Sequence, residues 1–446
     1  MDNNMATITV SPELAVASVS TRRPLALLAV TWLALPILLW LSVHGTFSFQ
    51  GVAENDSAEP ALVQTVTEQD TLAGRFQKAM TAPLLLIFVF PFFTRGIRVW
   101  KMSPLFTALA ALTVLSIMWS QFPLRSIAFS LNAVLCIFFA LCFYLRFPAE
   151  DQLRLIYWTG AIIVLSSVVM VILFPHYGTQ GGVGGLGEWK GLFHTKNVLA
   201  RACVFLLTPA LFTFRDRPIS RLSRTSYVLL LLFVIFKSGS RTGLIDAAAC
   251  VLFCLLIRFL GRVAKKDALL MVAVGVGIAA AGTMIILQHL PVILVALGKD
   301  ATLTGRTAIW NGVMQSVTKR PILGYGYGGF WWGTRGEAYN IDSRVGWMVP
   351  YAHNGFLDIW LDLGIVGFGL IVATFIKAIR DGIRSIRGER SSYVQWCLSI
   401  VFLTVLYNLD EGTLLAQTEL VWVLYIVACT GLAMEARRAQ GRWTVG

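Results

Sequence analysis

Apolar residues along this chain gather into stretches close to the length of a bilayer core, separated by short polar connections. Twelve such runs stand out, at roughly 24–43, 76–94, 103–119, 126–145, 155–174, 196–214, 226–237, 243–260, 267–289, 354–376, 392–409 and 417–435. The seventh is short and runs into Lys237-Ser-Gly-Ser-Arg241. The first is too long for a signal-peptide core of about 7–15 residues and lacks a clear Ala-x-Ala, so it reads as a spanning helix. The pattern predicts an all-α polytopic membrane protein of about 12 transmembrane helices. Its expected parts are a tail over 1–23, spans one to nine over 24–289, a large loop over 290–352, spans ten to twelve over 353–435, and a tail over 436–446.

Composition agrees. Of 446 residues, 56% are hydrophobic and 14% charged, and mean hydropathy is +0.69. Soluble domains carry roughly 25% charged residues, so a disordered chain is excluded and an ordinary cytosolic enzyme is a poor fit. The seven cysteines all fall inside apolar runs without metal or disulfide spacing, as small hydrophobes between helices would.

The formal charge of +13 would suggest nucleic acid in a soluble protein; here its placement decides. With the N-terminus in the cytoplasm, 23 of the 37 Lys and Arg fall on the cytoplasmic side, in tails and short connections such as 95–101, 215–224, 258–266 and 377–390. The positive-inside rule then holds at every turn and puts both termini in the cytoplasm. On the opposite, outer face, 44–74 carries Glu54, Asp56, Glu59, Glu68 and Asp70 and no basic residue, and all five histidines lie at or near that face.

The remaining basic residues cluster where helices begin at the outer face. Gly191-Leu-Phe-His194-Thr-Lys196-Asn197 opens the sixth span, with Arg201 one turn on. Ser238-Gly-Ser-Arg241-Thr-Gly243 opens the eighth, Leu303-Thr-Gly-Arg306-Thr307 opens a loop segment, and Tyr351-Ala-His353-Asn354-Gly355 opens the tenth. Free N–H groups and positive dipole ends there suit an anionic group such as phosphate. The bland alternatives are ion pairs with Asp246, Asp358 or Asp362, or snorkelling to headgroups. His353 is the best candidate for proton transfer, with Asp358 and Asp362 on the following turns; an interfacial histidine is its alternative. No metal-ligand pattern is visible.

The large loop is rich in aromatic rings, including Trp310, Tyr325, Tyr327, Trp331, Trp332 and Tyr351, which suit an interfacial belt or stacking on sugars. Ile309, Trp310, Val313, Met314 and Val317 share one face of an amphipathic helix that lies on the membrane or caps the bundle. Gly324-Tyr-Gly-Tyr-Gly-Gly329 and 181–187 lack the context of nucleotide-binding loops and read as tight turns and flexible loop.

Taken together, these motifs resemble the superfamily of bacterial O-antigen ligases, O-antigen polymerases and exopolysaccharide polymerases. The carriers are Gly191 to Asn197, Ser240 to Gly243, Leu303 to Thr307, Trp310, the Pro321-x-Leu-Gly-x-Gly-x-Gly run, and His353-Asn-Gly355 ahead of Leu363-Gly364; their wording is most like the exopolysaccharide polymerase branch. The resemblance covers roughly 177–372. It implies a metal-independent, inverting glycosyltransferase in the bacterial inner membrane, its active site facing the periplasm. Undecaprenyl pyrophosphate would leave and a sugar hydroxyl would accept. His353 and Arg241 match the family's catalytic histidine and arginine. Lys196, Asn197, Arg201, Arg306, Asn354, His194 and Trp310 are the expected substrate-binding residues. Some relatives carry Arg where Lys196 stands, which leaves Lys196 and Arg201 both open as the first phosphate ligand. Expected partners are the lipid-linked oligosaccharide, the growing polysaccharide, the bilayer, and candidate chain-length and export proteins, with no cofactor and no nucleic acid. Alternatives are a ligase acting on a lipid A core, and a transporter of lipid-linked sugars with Arg201, Asp246, Asp358 and Asp362 along its pathway.

Overall fold

A computed structural model describes residues 25–43, 72–181, 187–212, 219–263, 306–332, 336–388, 390–416 and 419–440. Eleven of the twelve predicted runs coincide with helices. These are α1 (Leu25–Val43), α2 (Leu72–Val89, continued by a 3-10 turn and by α3, Gly96–Met102), α4 (Pro104–Leu115) and α5 (Pro123–Arg146). They continue with α6 (Ala149–Leu173), α7 (Lys196–Leu211), α8 (Arg221–Lys237) and α9 (Arg241–Leu260). After two cap helices, α10 (Arg306–Lys319) and α11 (Glu337–Val345), come α12 (Gly355–Ser385), α13 (Ser391–Tyr407) and α14 (Leu420–Ala439). The run at 267–289, the tail 1–23, the acidic 44–70 segment, His44, His289, Leu303 to Gly305, most of the Gly181–Gly187 stretch and residues 441–446 of the second tail lie outside the described residues, whereas 436–439 continue α14. Among the described helices, α5, α6, α9, α12 and α14 are long and apolar enough to cross a membrane.

The seventh run is longer than its hydropathy suggested. The Ser220 hydroxyl accepts from Ser223 N at 3.1 Å and starts α8 at Arg221, a polar first turn that hydropathy alone passes over. At the centre stands α14, packed against α12, α13 and α5, while α9 lies at the periphery. Hydrogen bonds stitch the interior: Tyr425 and Thr374 hydroxyls meet at 2.6 Å, and Trp396 Nε1 donates to Thr208 Oγ1 at 3.1 Å. Such bonds and close packing hold helices together where lipid removes the hydrophobic drive. All seven cysteines are buried and none forms a disulfide, as expected of small apolar side chains.

The bundle has two unlike ends. At one, Arg390 and Arg438 reach Glu435 at 3.4 and 2.6 Å, Arg154 meets Glu150 and Asp151, and Arg258 donates to the Leu211 carbonyl. At the other, residues 116–121 and 408–416 meet the cap and the run that follows α10: Gln121 N donates to the Tyr325 carbonyl at 3.2 Å, the Tyr327 hydroxyl donates to the Leu415 carbonyl, and Arg306 approaches Glu411. Ile309, Val313 and Val317 of α10 are buried with Tyr325, Phe330, Ile341 and Leu361 in a small core of their own. Trp310 is only partly buried and Met314 is exposed, so a narrower face than the sequence suggested makes the contact. The helix caps the bundle.

The glycine-rich run 324–329 is tightly turned, as expected, but well packed rather than flexible. It fills a break in α12 at Gly364, whose φ of 64° lies in the left-handed region. Tyr325 N and Gly326 N donate to the Leu361 and Asp362 carbonyls at 2.8 and 2.9 Å, and Ile365 N donates to the Pro321 carbonyl at 2.8 Å. Backbone groups freed by the break are thereby satisfied inside the protein, which irregular backbone at membrane depth requires.

Candidate functional site

His353 sits where the cap joins α12, and its backbone has a φ of 51°. A non-glycine residue in such a conformation costs on the order of 1–3 kcal/mol and persists only when its surroundings over-determine it. They do so from both sides. Ala352 N donates to Asp358 Oδ1 at 2.9 Å, and Trp310 Nε1 donates to the Ala352 carbonyl at 2.9 Å. Asn354 caps α12, its Oδ1 accepting from Phe356 N and Leu357 N at 3.1 Å each, while its Nδ2 donates to the Leu409 carbonyl at 3.2 Å. Gly355 N donates to the carbonyls of Asn408 and Glu411. A Cβ on Gly355 would lie 2.0 Å from Asn408 Oδ1, so the His-Asn-Gly order follows from packing.

The 408–419 turn brings a carboxylate to this histidine. Glu411 Oε2 is 3.5 Å from His353 Nδ1 and accepts the Tyr351 hydroxyl at 2.7 Å. The Tyr351 and His353 rings lie 4.4 Å apart, and Arg306 Nη2 is 3.9 Å from Glu411 Oε1. Burial alone would raise the Glu411 pKa, but the contacts from His353 and Tyr351 and the Arg201 charge outweigh it and leave it below the ordinary carboxylate value. Burial and the neighbouring Glu411 carboxylate push the Tyr351 phenol up, so it remains a proton donor.

Arg201 stacks over the Tyr407 ring at 4.5 Å. It lines a groove with Glu419 and apolar residues including Phe193 and Phe205. The His194 side chain is exposed, yet the protein packed around it and the charges of Arg201 and Lys190 push its pKa down to about 4. It is therefore neutral near pH 7. Lys196, the first residue of α7, pairs with Glu188, and its backbone N–H donates to Gln180 Oε1 at 3.1 Å. Asn197 Oδ1 accepts the Ser240 hydroxyl at 2.9 Å, and Ser240 Oγ in turn caps α9 by accepting from Gly243 N. The first turns of α7 and α9 touch, since a Cβ on Gly243 would lie 2.4 Å from Ala200 Cβ. Arg241 is exposed there and makes no ion pair among the described residues.

The sequence-predicted residues thus fall into two neighbouring groups at one end of the bundle. His353, Arg306, Trp310 and Asn354 meet around Glu411, and the Arg201 charge reaches both Glu411 and His194. Lys196, Asn197 and Arg241 form the second group, joined to the first through Arg201 on α7. No described contact links Arg241 directly to His353. Trp310 and Asn354 both spend their polar atoms on the backbone around His353. Asp358 and Asp362 hold the cap rather than a basic residue: Trp331 Nε1 donates to Asp358 Oδ1 at 2.9 Å and Gly328 N to Asp362 Oδ2 at 3.0 Å. The partner that sequence reasoning missed is Glu411, whose signal was an Asp410-Glu411 pair in a short loop between two apolar runs.

Fold and site together define a multi-pass helical membrane protein with a histidine and several cations gathered at one end. Residues 226–372 match the O-Antigen ligase family model. The chain is similar to Exopolysaccharide production protein ExoQ of Rhizobium meliloti, 26% identical over 295 residues, covering 64% of this chain and 65% of that protein. It is also 28% identical over 127 residues to "Putative polysaccharide ligase RP358" of Rickettsia prowazekii, covering 27% of this chain and 31% of the relative. Each match spans less than two thirds of the relative's length. The resemblance read from the motifs agrees with these matches: residues 226–372 match the O-Antigen ligase family model, and the chain is similar to an exopolysaccharide production protein.

Proposed function

We propose that this protein is an inverting, metal-independent glycosyltransferase of the bacterial inner membrane. It polymerises undecaprenyl-pyrophosphate-linked repeat units into exopolysaccharide at the periplasmic face. In this reading about 12 spans cross the membrane with both termini cytoplasmic, and the His353 end faces the periplasm. His353 Nε2 takes the proton of the acceptor hydroxyl as that oxygen attacks the anomeric carbon of the donor sugar. The new C–O bond forms as the bond to pyrophosphate breaks, and undecaprenyl pyrophosphate leaves with the electron pair. Arg241, with Arg201 and Lys196 one helix away, stabilises the phosphate charge, for which preorganised cations shielded from water are worth several kcal/mol. A positioned base typically contributes about 10²–10⁴-fold.

The observation that carries this reading is the pairing of a strained, over-determined His353 with an ionised Glu411, on the same bundle end as Arg201 and Arg241. A donor already activated by pyrophosphate needs no nucleotide site. A lipid A core as acceptor would use the same groups. Transport is less favoured, because the broken helix α12 has its freed backbone groups filled by the 321–326 run instead of offering them to a cargo. The test is His353→Ala and Arg241→Ala in living cells, with membrane levels checked. Both variants should accumulate single lipid-linked repeat units and lose long polymer. Full-length polymer from both would refute the assignment, and polymer-free lipid A ligation by the native protein would select the ligase.

A further inference from the structure

Glu411 has three side-chain neighbours and a backbone role, and they separate cleanly. Its carbonyl accepts from Gly355 N at 2.9 Å, beside the Asn408 carbonyl that accepts from the same N–H at 3.0 Å. The Asn408 side chain pins the rest of the turn: its Oδ1 accepts from Thr413 N at 2.7 Å and Leu414 N at 3.0 Å, and its Nδ2 donates to Thr413 Oγ1 at 2.8 Å. The turn is therefore built without the Glu411 carboxylate. That carboxylate instead points at His353 Nδ1, with Tyr351 fixing Oε2 and Arg306 flanking Oε1.

We propose, resting on the reading of His353 as base, that Glu411 is its positioning residue. Glu411 holds the proton of the neutral ring on Nδ1, so that the Nε2 lone pair faces the acceptor hydroxyl, and it stabilises the imidazolium formed when that proton is taken. Tyr351 is the second positioning residue. By donating to Oε2 it keeps the carboxylate aimed at the ring, and its own ring packs against the imidazole at 4.4 Å. Nδ1 is buried and has no hydrogen-bond partner of ordinary length, so the 3.5 Å gap is one that a small shift on acceptor binding closes. Catalytic hydrogen bonds commonly tighten in this way once substrate is bound. The charged and titratable groups that face the pair are Arg306 from α10, Arg201 from α7, Asp358 from α12, Tyr407 from α13, and His194, Tyr351, Asp410 and Glu419 from the adjoining loops. A carboxylate beside an imidazole is a recurrent way of fixing its tautomer.

The experiment uses the full-length protein in nanodiscs and lipid-linked repeat units extracted from a host strain deleted for this gene. Glu411→Gln keeps the shape and the backbone bonds but loses the charge. It should lower kcat by about 10²-fold or more with KM within about threefold. Glu411→Asp should recover part of kcat. Tyr351→Phe should lower kcat less, by about tenfold. Native kcat for Glu411→Gln, with His353→Ala inactive, would overturn the positioning role while leaving the base in place. An active His353→Ala would instead overturn the reading on which it rests.

Discussion

Ser240 donates its hydroxyl to Asn197 Oδ1 at 2.9 Å, and so ties the beginning of α9 to the beginning of α7. The same oxygen accepts from Gly243 N, so one hydroxyl caps a helix and sets the spacing between two. Lys196 and Arg241 stand immediately beside these two residues. Ser240→Ala removes the cap and the tie, at a combined cost of about 1–2 kcal/mol. The expected result is a lower thermal midpoint in detergent and a raised KM for lipid-linked donor, with Ser240→Thr close to native. An unchanged KM would mean that the spacing of the two helix starts does not serve donor binding.

Gly364 and Gly369 lie five residues apart on α12 and should respond oppositely to alanine. At Gly364 a Cβ would be 2.0 Å from the Ile322 carbonyl oxygen, and its φ is positive. At Gly369 a Cβ would meet nothing within 4 Å, and the backbone is helical. Gly364→Ala should cost about 3 kcal/mol or more, combining left-handed strain with displacement of the 321–326 run. Gly369→Ala should be neutral or stabilising by up to about 1 kcal/mol. Melting curves of the two variants followed by size-exclusion fluorescence would decide, and equal midpoints would contradict the packing at the break.

Hydropathy runs made the bundle legible because each helix must be apolar over a bilayer's width, and eleven of twelve runs coincide with helices for that reason. It failed where a polar turn begins a helix, as at Arg221 to Arg224 ahead of the apolar part of α8. His353 and the cations were legible because most basic residues sort to the opposite side, so those left on that face stand out. Glu411 was not, since nothing local in 408–419 indicates that this turn folds back onto residues 351–355; that contact is set by Gly355 and Asn408 across more than fifty residues. The glycine run was assigned to turns but not to packing, because its partner is a break in a helix that the sequence shows only as Leu363-Gly364.

Acid should destabilise the site end through two groups acting in the same direction. His194 has a folded-state pKa of about 4 against an ordinary value near 6.5. Between these values the unfolded chain binds a proton that the folded protein does not, so stability is full above about 6.5 and falls as the pH drops towards 4. Glu411 is lowered, so its contribution is present above the ordinary glutamate value and is lost as pH falls through its folded-state value. Thermal midpoints measured from pH 7.5 to 3 should decline over this range. His194→Gln should flatten the part between about 6.5 and 4, and Glu411→Gln the part below 4.5. A native curve flat from about pH 6.5 to 4 would contradict the His194 assignment, and a Glu411→Gln curve parallel to the native one down to pH 3 would contradict the Glu411 assignment.

Arg201 and Glu419 share the groove beside α1, and both sit against apolar walls. Arg201 serves two masters in the proposed reaction, since its charge helps keep Glu411 ionised and it stands one turn from Lys196. Arg201→Ala would leave Glu419 in the groove without its nearest cation, and an uncompensated charge in such a setting costs about 3–5 kcal/mol when buried deeply, with less expected at a groove wall. The double variant Arg201→Ala with Glu419→Gln removes that imbalance without restoring the cation. Its thermal midpoint should therefore recover towards native while its polymerising activity stays lost. Recovery of both would show that Arg201 acts only on folding, and leave the phosphate to Lys196 and Arg241. Recovery of neither would show that stacking on Tyr407, at 4.5 Å, is the contact that matters for the fold.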